Sequence, residues 1–261
     1  MINPPLIDAH AHVWDRTCTF VPGARYHPDY EATLDTYLRV LDAHGIEKAV
    51  LVQPSFLGTD NSYLLSAVRA QPDRLRGIVV LDTGTSQAKL DDLTGAGIIG
   101  HRFNLIGQDP EVVSAPFATD LIHAITARGW WTEIQANGAM WPTVLEVLLR
   151  TGARIMVDHF GKPSGPDCAG WQALLATDPT RHCIKLSAPY RQQPDEMAPY
   201  ARAFLDTWGA ERCLWGSDWP WTQNEGRHSY SDTIAWVDDW TAEDCRATMR
   251  APAPDLCGFP G

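Results

Sequence analysis

Eight short apolar runs recur along the chain, each closing on polar residues and most followed by a stretch with helical spacing. They are Leu6 to His12, Ala49 to Gln53, Gly77 to Leu81, Ile98 to Asn104, Trp130 to Gln135, Arg154 to His159, Cys183 to Ser187 and Cys213 to Ser217. Runs of this length, bounded by turn-forming residues, predict strands. Between them Leu34, Leu38 and Leu41 precede Gly45, and Val144, Leu145, Leu148 and Leu149 precede Gly152, the spacing of a helix face ended by a glycine. Strand then helix, repeated through the chain, predicts an α/β fold: a single parallel eight-stranded (β/α)8 TIM barrel over residues 1–261. An open doubly wound sheet would place a glycine-rich phosphate turn after its first strand. The first strand here opens into Asp8-Ala-His-Ala-His12-Val-Trp14, which has no glycine.

Composition narrows the partners. With 44% apolar and 20% charged residues among 261, the chain has material for one well-buried core. Its 21 Lys and Arg against 32 Asp and Glu give a net charge of −11, a field that repels phosphate backbones and anionic bilayers. Neither nucleic acid nor a membrane is therefore expected as a partner. No run approaches the roughly 20 apolar residues of a membrane span, and residues 1–5 lack the basic then apolar pattern of a leader, so a cytoplasmic location is expected. Cys18, Cys168, Cys183, Cys213, Cys245 and Cys257 form no Cys-x-x-Cys pair and read as reduced thiols. The oligomeric state leaves no mark in the sequence.

Barrel active sites lie at the carboxyl ends of the strands, which directs attention to the polar residues there. His10 and His12 are two apart, so strand periodicity puts them on one face together with Asp8. The sixth run ends in Asp158-His159 and the eighth in Ser217-Asp218. Barrel closure makes strands eight and one neighbours, bringing Asp218 to the histidines. Singly, each has a structural reading: a satisfied core histidine, a local Asp158–His159 pair, an Asp218 that caps the turn before Pro220. Together they read as one pocket of imidazoles and carboxylate. Eleven tryptophans are also present, six of them (Trp14, Trp130, Trp131, Trp141, Trp219 and Trp221) near strand ends. Trp219 and Trp221, flanking Pro220, are expected at the pocket mouth.

The His-x-His after strand one, the histidine near strand six and Gly216-Ser-Asp-Trp-Pro220 after strand eight resemble the amidohydrolase superfamily. Val52-Gln-Pro-Ser55, Gly58-Thr-Asp-Asn61, Arg76-Gly-Ile-Val-Val80, Gly100-His-Arg-Phe-Asn104 and Asp158-His-Phe-Gly161 are similar to its lactonase branch, which opens pyrone, sulfomuconolactone and sugar lactones. The resemblance implies Asp218 as catalytic carboxylate, His10, His12 and His159 as inner imidazoles, and Arg102, Arg191, Tyr26 and Ser55 as substrate contacts, to which Lys162 adds positive charge. It breaks in three places. Leu105-Ile-Gly-Gln108 lacks a second basic residue expected there, Lys162 replaces an arginine, and Glu133 replaces a tyrosine. Ala251-Pro-Ala-Pro254 and Leu256-Cys-Gly-Phe259 only loosely match the family's ending, so the last helix is left open.

The expected function is hydrolysis of a small anionic lactone, with Asp218 as general base and then acid, and His159, His10 and His12, or a metal they hold, stabilising the oxyanion. A metal-dependent decarboxylase of an aromatic-derived acid and a non-catalytic binding barrel are the rival readings. His10, His12, Glu133 and Asp218 are the expected ligands of one divalent ion, zinc ahead of manganese. Glu133 is the deciding ligand, because the resemblance includes a metal-free lactonase that has the histidines and aspartate. Without a second base near Gln108, a substrate with one anionic group or several hydroxyls is expected.

Overall fold

A computed structural model describes residues 6–192 and 196–259. The eight strands are β1 (Ile7–Ala11), β2 (Lys48–Val52), β3 (Leu75–Val79), β4 (Ile98–Asn104), β5 (Trp131–Gln135), β6 (Arg154–Val157), β7 (His182–Ser187) and β8 (Cys213–Gly216). All pair in parallel and in chain order. Each predicted run overlaps its strand, with ends displaced by at most two residues. At the carboxyl ends of β1 and β8 the ring closes through Asp218 N–H to His10 O at 2.8 Å and His12 N–H to Trp219 O at 2.9 Å. The expected (β/α)8 barrel is thus observed, and its closing bonds run through the residues singled out for chemistry. Residues 1–5, expected to lack a leader, lie outside the described residues.

The outer layer is α1 (Leu34–Ala43), α2 (Ser62–Ala70), α3 (Gln87–Gly95), α4 (Pro116–Thr126), α5 (Trp141–Arg150), α6 (Ala169–Leu175), α7 (Ala198–Trp208), α8 (Tyr230–Trp240), α9 (Glu243–Arg250) and α10 (Ala253–Leu256). Thr33 caps α1 by accepting the Thr36 N–H. Past the ends of α1 and α5, Gly45 and Gly152 take φ of +65° and +66°, a turn that costs other residues about 1 kcal/mol or more. Val144, Leu145 and Leu148 are buried, whereas Leu149 falls on the solvent side. None of the described helices is long and apolar enough to cross a membrane, and all six cysteines are free thiols.

The barrel interior is divided. Its lower half is apolar, filled by Val50, Ile78, Trp131, Met156, Cys183 and Leu214. From below, α10 and Phe259 plug it, with Trp131 Nε1–H donating to Leu256 O at 2.7 Å. The tail that matched the family loosely is therefore the floor of the barrel. Titratable residues collect in the upper half, at the carboxyl ends of the strands.

One irregularity reorients β1. Asp8 pairs with Ala49 and Ala11 with Leu51, so three residues of β1 advance against two of β2, a β-bulge. The bulge breaks the alternation that would have aligned Asp8 with His10 and His12. Asp8 instead accepts from Ser217 N–H, Tyr37 O–H and Tyr230 O–H, each at 2.8 Å, from Ser217 Oγ and from His10 N–H at 3.1 Å. It staples β1 to the end of β8 and to α1 and α8, and takes no part in the pocket.

Candidate active site

His10, His12, His159 and Asp218, nearly or fully buried, converge on one point. His10 Nε2 is 3.3 Å from His12 Nε2, and these two nitrogens lie 3.6 and 3.5 Å from Asp218 Oδ1. His159 Nε2 is 4.0 Å from the same oxygen. Close approach of β1 and β8 depends on Gly216, where a Cβ would stand 2.7 Å from His10 Cβ. The corners after β6 and β8 turn through His159 at φ +51° and Asp218 at φ +57°, strained conformations of the kind that gather at functional sites.

Asp218 divides its two oxygens. Oδ2 accepts from Arg191 Nε–H at 2.8 Å and from Tyr190 O–H, while Oδ1 has no hydrogen-bond partner among the described residues. Burial opposes ionisation of this carboxyl, but the Arg191 guanidinium holds it well below the usual range. It is a carboxylate at neutral pH. His10 and His159 are neutral: burial pushes His159 down to about 3, and burial followed by the Lys185 charge holds His10 well below its ordinary value. His12 Nδ1 lies 2.7 Å from Val52 O and donates to it, which turns Nε2 toward Asp218. His159 Nδ1 is 2.8 Å from Ser187 Oγ.

A charged layer lies beneath. Arg102 donates from Nε at 3.0 Å and Nη2 at 2.8 Å to Asp158 Oδ2, and from Nη2 to Gln135 Oε1 at 3.0 Å. Glu133, paired with Arg102 in the strand register, binds the Lys185 ammonium; its other oxygen is 3.1 Å from Arg102 Nε, whose N–H is aimed at Asp158. Lys185 also sits 3.4 Å from Asp158 Oδ1 and 3.1 Å from His10 Nδ1. Burial opposes its charge, but Glu133 and Asp158 raise its pKa, whereas burial and then the Asp158 charge push the Glu133 carboxyl up to about 7.

Above these residues a cavity of about 120 Å³ is lined by Tyr26, Ser55, Lys162 and Arg191 as expected, by Arg102, His12, His159 and Asp218, and also by Arg25. A wider cleft of about 550 Å³ at the opposite end of the barrel has no histidine in its lining. Trp219 does not line the pocket. It stacks on Tyr37 at 5.0 Å, between barrel and α1, because the side chain that follows an inward Asp218 points outward. Trp221, likewise expected at the mouth, donates to Ser217 O instead. Arg102 reaches the cavity, but two carboxylates already hold its guanidinium.

The amidohydrolase family model matches residues 7–255. Over 239 residues, covering 82% of the chain and 75% of the relative, the sequence is 32% identical to a 4-sulfomuconolactone hydrolase of Rhizobium radiobacter. The chain belongs to the amidohydrolase family. Two solved structures resemble this amidohydrolase over its whole length. One, from Pseudomonas putida and provisionally assigned as a 2-pyrone-4,6-dicarboxylic acid hydrolase, is 38% identical with a TM-score of 0.91, covering 100% of both chains. The other, from Acinetobacter baumannii with the same provisional assignment and citric acid bound, is 32% identical with a TM-score of 0.92, covering 99% of this chain and 100% of that one.

Within the amidohydrolase, His10, His12 and Asp218 form a donor set with metal-ligand spacing. Donors at Zn–N distances around a tetrahedral ion are about 3.3 Å apart, close to the 3.3 to 3.6 Å found here. The unpartnered Asp218 Oδ1 and the His12 tautomer oriented by Val52 fit the same role. Glu133, expected as the deciding ligand, is not in this set. The register of β5 places it beside Lys185 and Arg102, and a carboxylate buried there requires those cations. A second group, His10, Asp158 and His159, also converges, but Asp158 is committed to Arg102 and Lys185.

The sequence reading missed Lys185, Tyr190 and Arg25. Alternation in Cys183-Ile-Lys-Leu-Ser187 offered a signal for Lys185, an inward lysine in a buried strand. Tyr190 adjoins the recognised Arg191. Arg25 lies in a loop, where periodicity says nothing.

Proposed function

We propose that this amidohydrolase opens the ring of a small anionic lactone by adding water to its ester carbonyl. The observation that carries this reading is Asp218 Oδ1, an ionised, unpartnered oxygen facing the neutral imidazoles of His10 and His159 at the floor of a cation-lined cavity. Water seated on that oxygen gives its proton to Asp218 as the water oxygen bonds to the carbonyl carbon and the carbonyl electron pair moves to oxygen. His159 is placed to hydrogen-bond the resulting oxyanion, and as a neutral imidazole it does so without first losing a proton. When the intermediate collapses, the ring C–O bond breaks and Asp218 returns the proton to the leaving oxygen. Arg191 tunes the base: a substrate anion drawn to its guanidinium shares the charge now given to Asp218, leaving the carboxylate more basic.

His10, His12 and Asp218 would hold one divalent ion. Two imidazoles and one carboxylate at tetrahedral spacing suit zinc, whereas manganese favours more numerous oxygen ligands. An ion there would lower the pKa of a bound water toward about 7.

The test is hydrolysis of 2-pyrone-4,6-dicarboxylate, 4-sulfomuconolactone and a mono-anionic lactone, followed by loss of ring absorbance and by product mass. Gain of one water without carbon dioxide is expected. Carbon dioxide release without a hydrated product, or binding of all three without turnover, refutes the reading.

A further inference from the structure

We propose that Arg25, in the loop after β1, anchors a second anionic group of the substrate, so that the site selects lactones carrying two. The inference deepens the lactonase reading and takes its substrate chemistry from it. Charge pairing in the site is uneven. Glu133 and Asp158 answer Arg102 and Lys185, and Asp218 answers Arg191. That leaves two cations lining the cavity, Arg25 and Lys162, and among the described residues no carboxylate lies within 4 Å of either. Lys162 is half-buried, and Arg25 is exposed at the cavity mouth. Burial and the neighbouring Arg191 lower the pKa of the Lys162 ammonium, and burial with Arg102 and Arg191 lowers that of the Arg25 guanidinium.

Arg25 is steadied at the rim of the site by the end of β4. Its Nη2 donates to Asn104 Oδ1 at 3.3 Å, and its Cδ lies 3.9 Å from where a side chain on Gly107 would begin. Asn104 is a neutral partner, so the guanidinium keeps its charge unanswered and its remaining N–H groups free for a planar anion. Gln108, where the sequence analysis expected an anchor to be missing, is exposed and does not line the cavity. The second positive group therefore comes from another loop, and the expectation of a substrate with one anionic group or several hydroxyls gives way to one with two anionic groups. Lys162 and Arg25 together match two carboxylates, or a carboxylate and a sulfonate, on one small ring.

Isothermal titration with isophthalate, which bears two carboxylates meta on a ring, and with benzoate, which bears one, tests this without turnover. The wild-type protein should bind isophthalate about tenfold or more tighter than benzoate, the weight of one charge-assisted contact. Arg25→Gln should remove most of that ratio and leave benzoate affinity within about twofold, and Arg25→Lys should restore part of it. A wild-type protein with no preference for isophthalate, or an Arg25→Gln variant that keeps the ratio or weakens both ligands equally, overturns the proposal. Absence of lactone hydrolysis with the ratio intact would count against the lactonase reading alone.

Discussion

Replacing Asp218 by asparagine separates proton transfer from architecture. Asparagine is nearly isosteric and is one of the few residues that tolerate positive φ, so the corner at φ +57° is kept. Its carbonyl oxygen can accept from Arg191 and Tyr190 in place of Oδ2, while its amide group faces imidazole nitrogens 3.5 and 3.6 Å from the present Oδ1. The shape survives and the base is gone. Loss of a positioned base is worth about 10²- to 10⁴-fold in kcat, or about 2.7 to 5.5 kcal/mol of barrier. Stability falls too, because Arg191, whose side chain is 16% exposed, loses its counter-charge. Breaking a buried pair from one side costs about 3 to 5 kcal/mol. The retained acceptor argues for the low end, a melting-temperature drop of about 6 to 12 °C. Hydrolysis should therefore be assayed well below the variant's melting point, with circular dichroism confirming the folded state. Turnover within tenfold of wild type on the same lactone would show that another group takes the proton.

Protein purified without chelator should hold about one equivalent of zinc or manganese by elemental analysis, lost in His12→Asn and kept in Glu133→Gln; full activity after exhaustive chelation, with no metal detected, would remove the ion from the proposal. Trp219→Leu should cost about 2 to 4 kcal/mol of stability with KM unchanged, since the ring packs on Tyr37; a tenfold rise in KM at unaltered melting temperature would return Trp219 to the pocket. Stability should fall with acid. His101 and His159, pushed down to about 3 by burial, and His10, held well below its ordinary value by burial and Lys185, take up protons near pH 6.5 only when unfolded. Asp8 and Glu133, raised by burial, act in the opposite sense. With His182 also lowered by burial, the histidines outnumber these acids, and each proton taken up in excess on unfolding costs about 1.4 kcal/mol per pH unit below about pH 6.5. Urea midpoints at several pH values measure it, and a flat or rising profile on acidification would contradict the neutral-histidine assignment.

The sequence by itself determined the barrel and its reactive end. Strands in a parallel barrel are buried on both faces, so each shows as an apolar run, and the polar residue closing each run marks the carboxyl end where sites form. His10, His12, His159 and Asp218 were legible for that reason, since each lies at a strand end or a fixed step from one. Tertiary structure decided the rest, because it depends on register and on loops. Asp8 has the right parity for the pocket, yet a bulge that pairs three residues of β1 with two of β2 turns it toward α1 and α8. Glu133 also has the right parity, but its depth in the barrel sets it beside Lys185 and Arg102 instead of the imidazoles. Trp219 stands next to Asp218 in sequence and on the other side of the wall in space. Arg25 has no periodicity to announce it and enters the site only because its loop crosses Asn104 at the end of β4. Periodicity gives the face of a residue, while depth, partner and charge balance are set by strands and loops far apart in the chain, and those settle which charges remain free for a ligand.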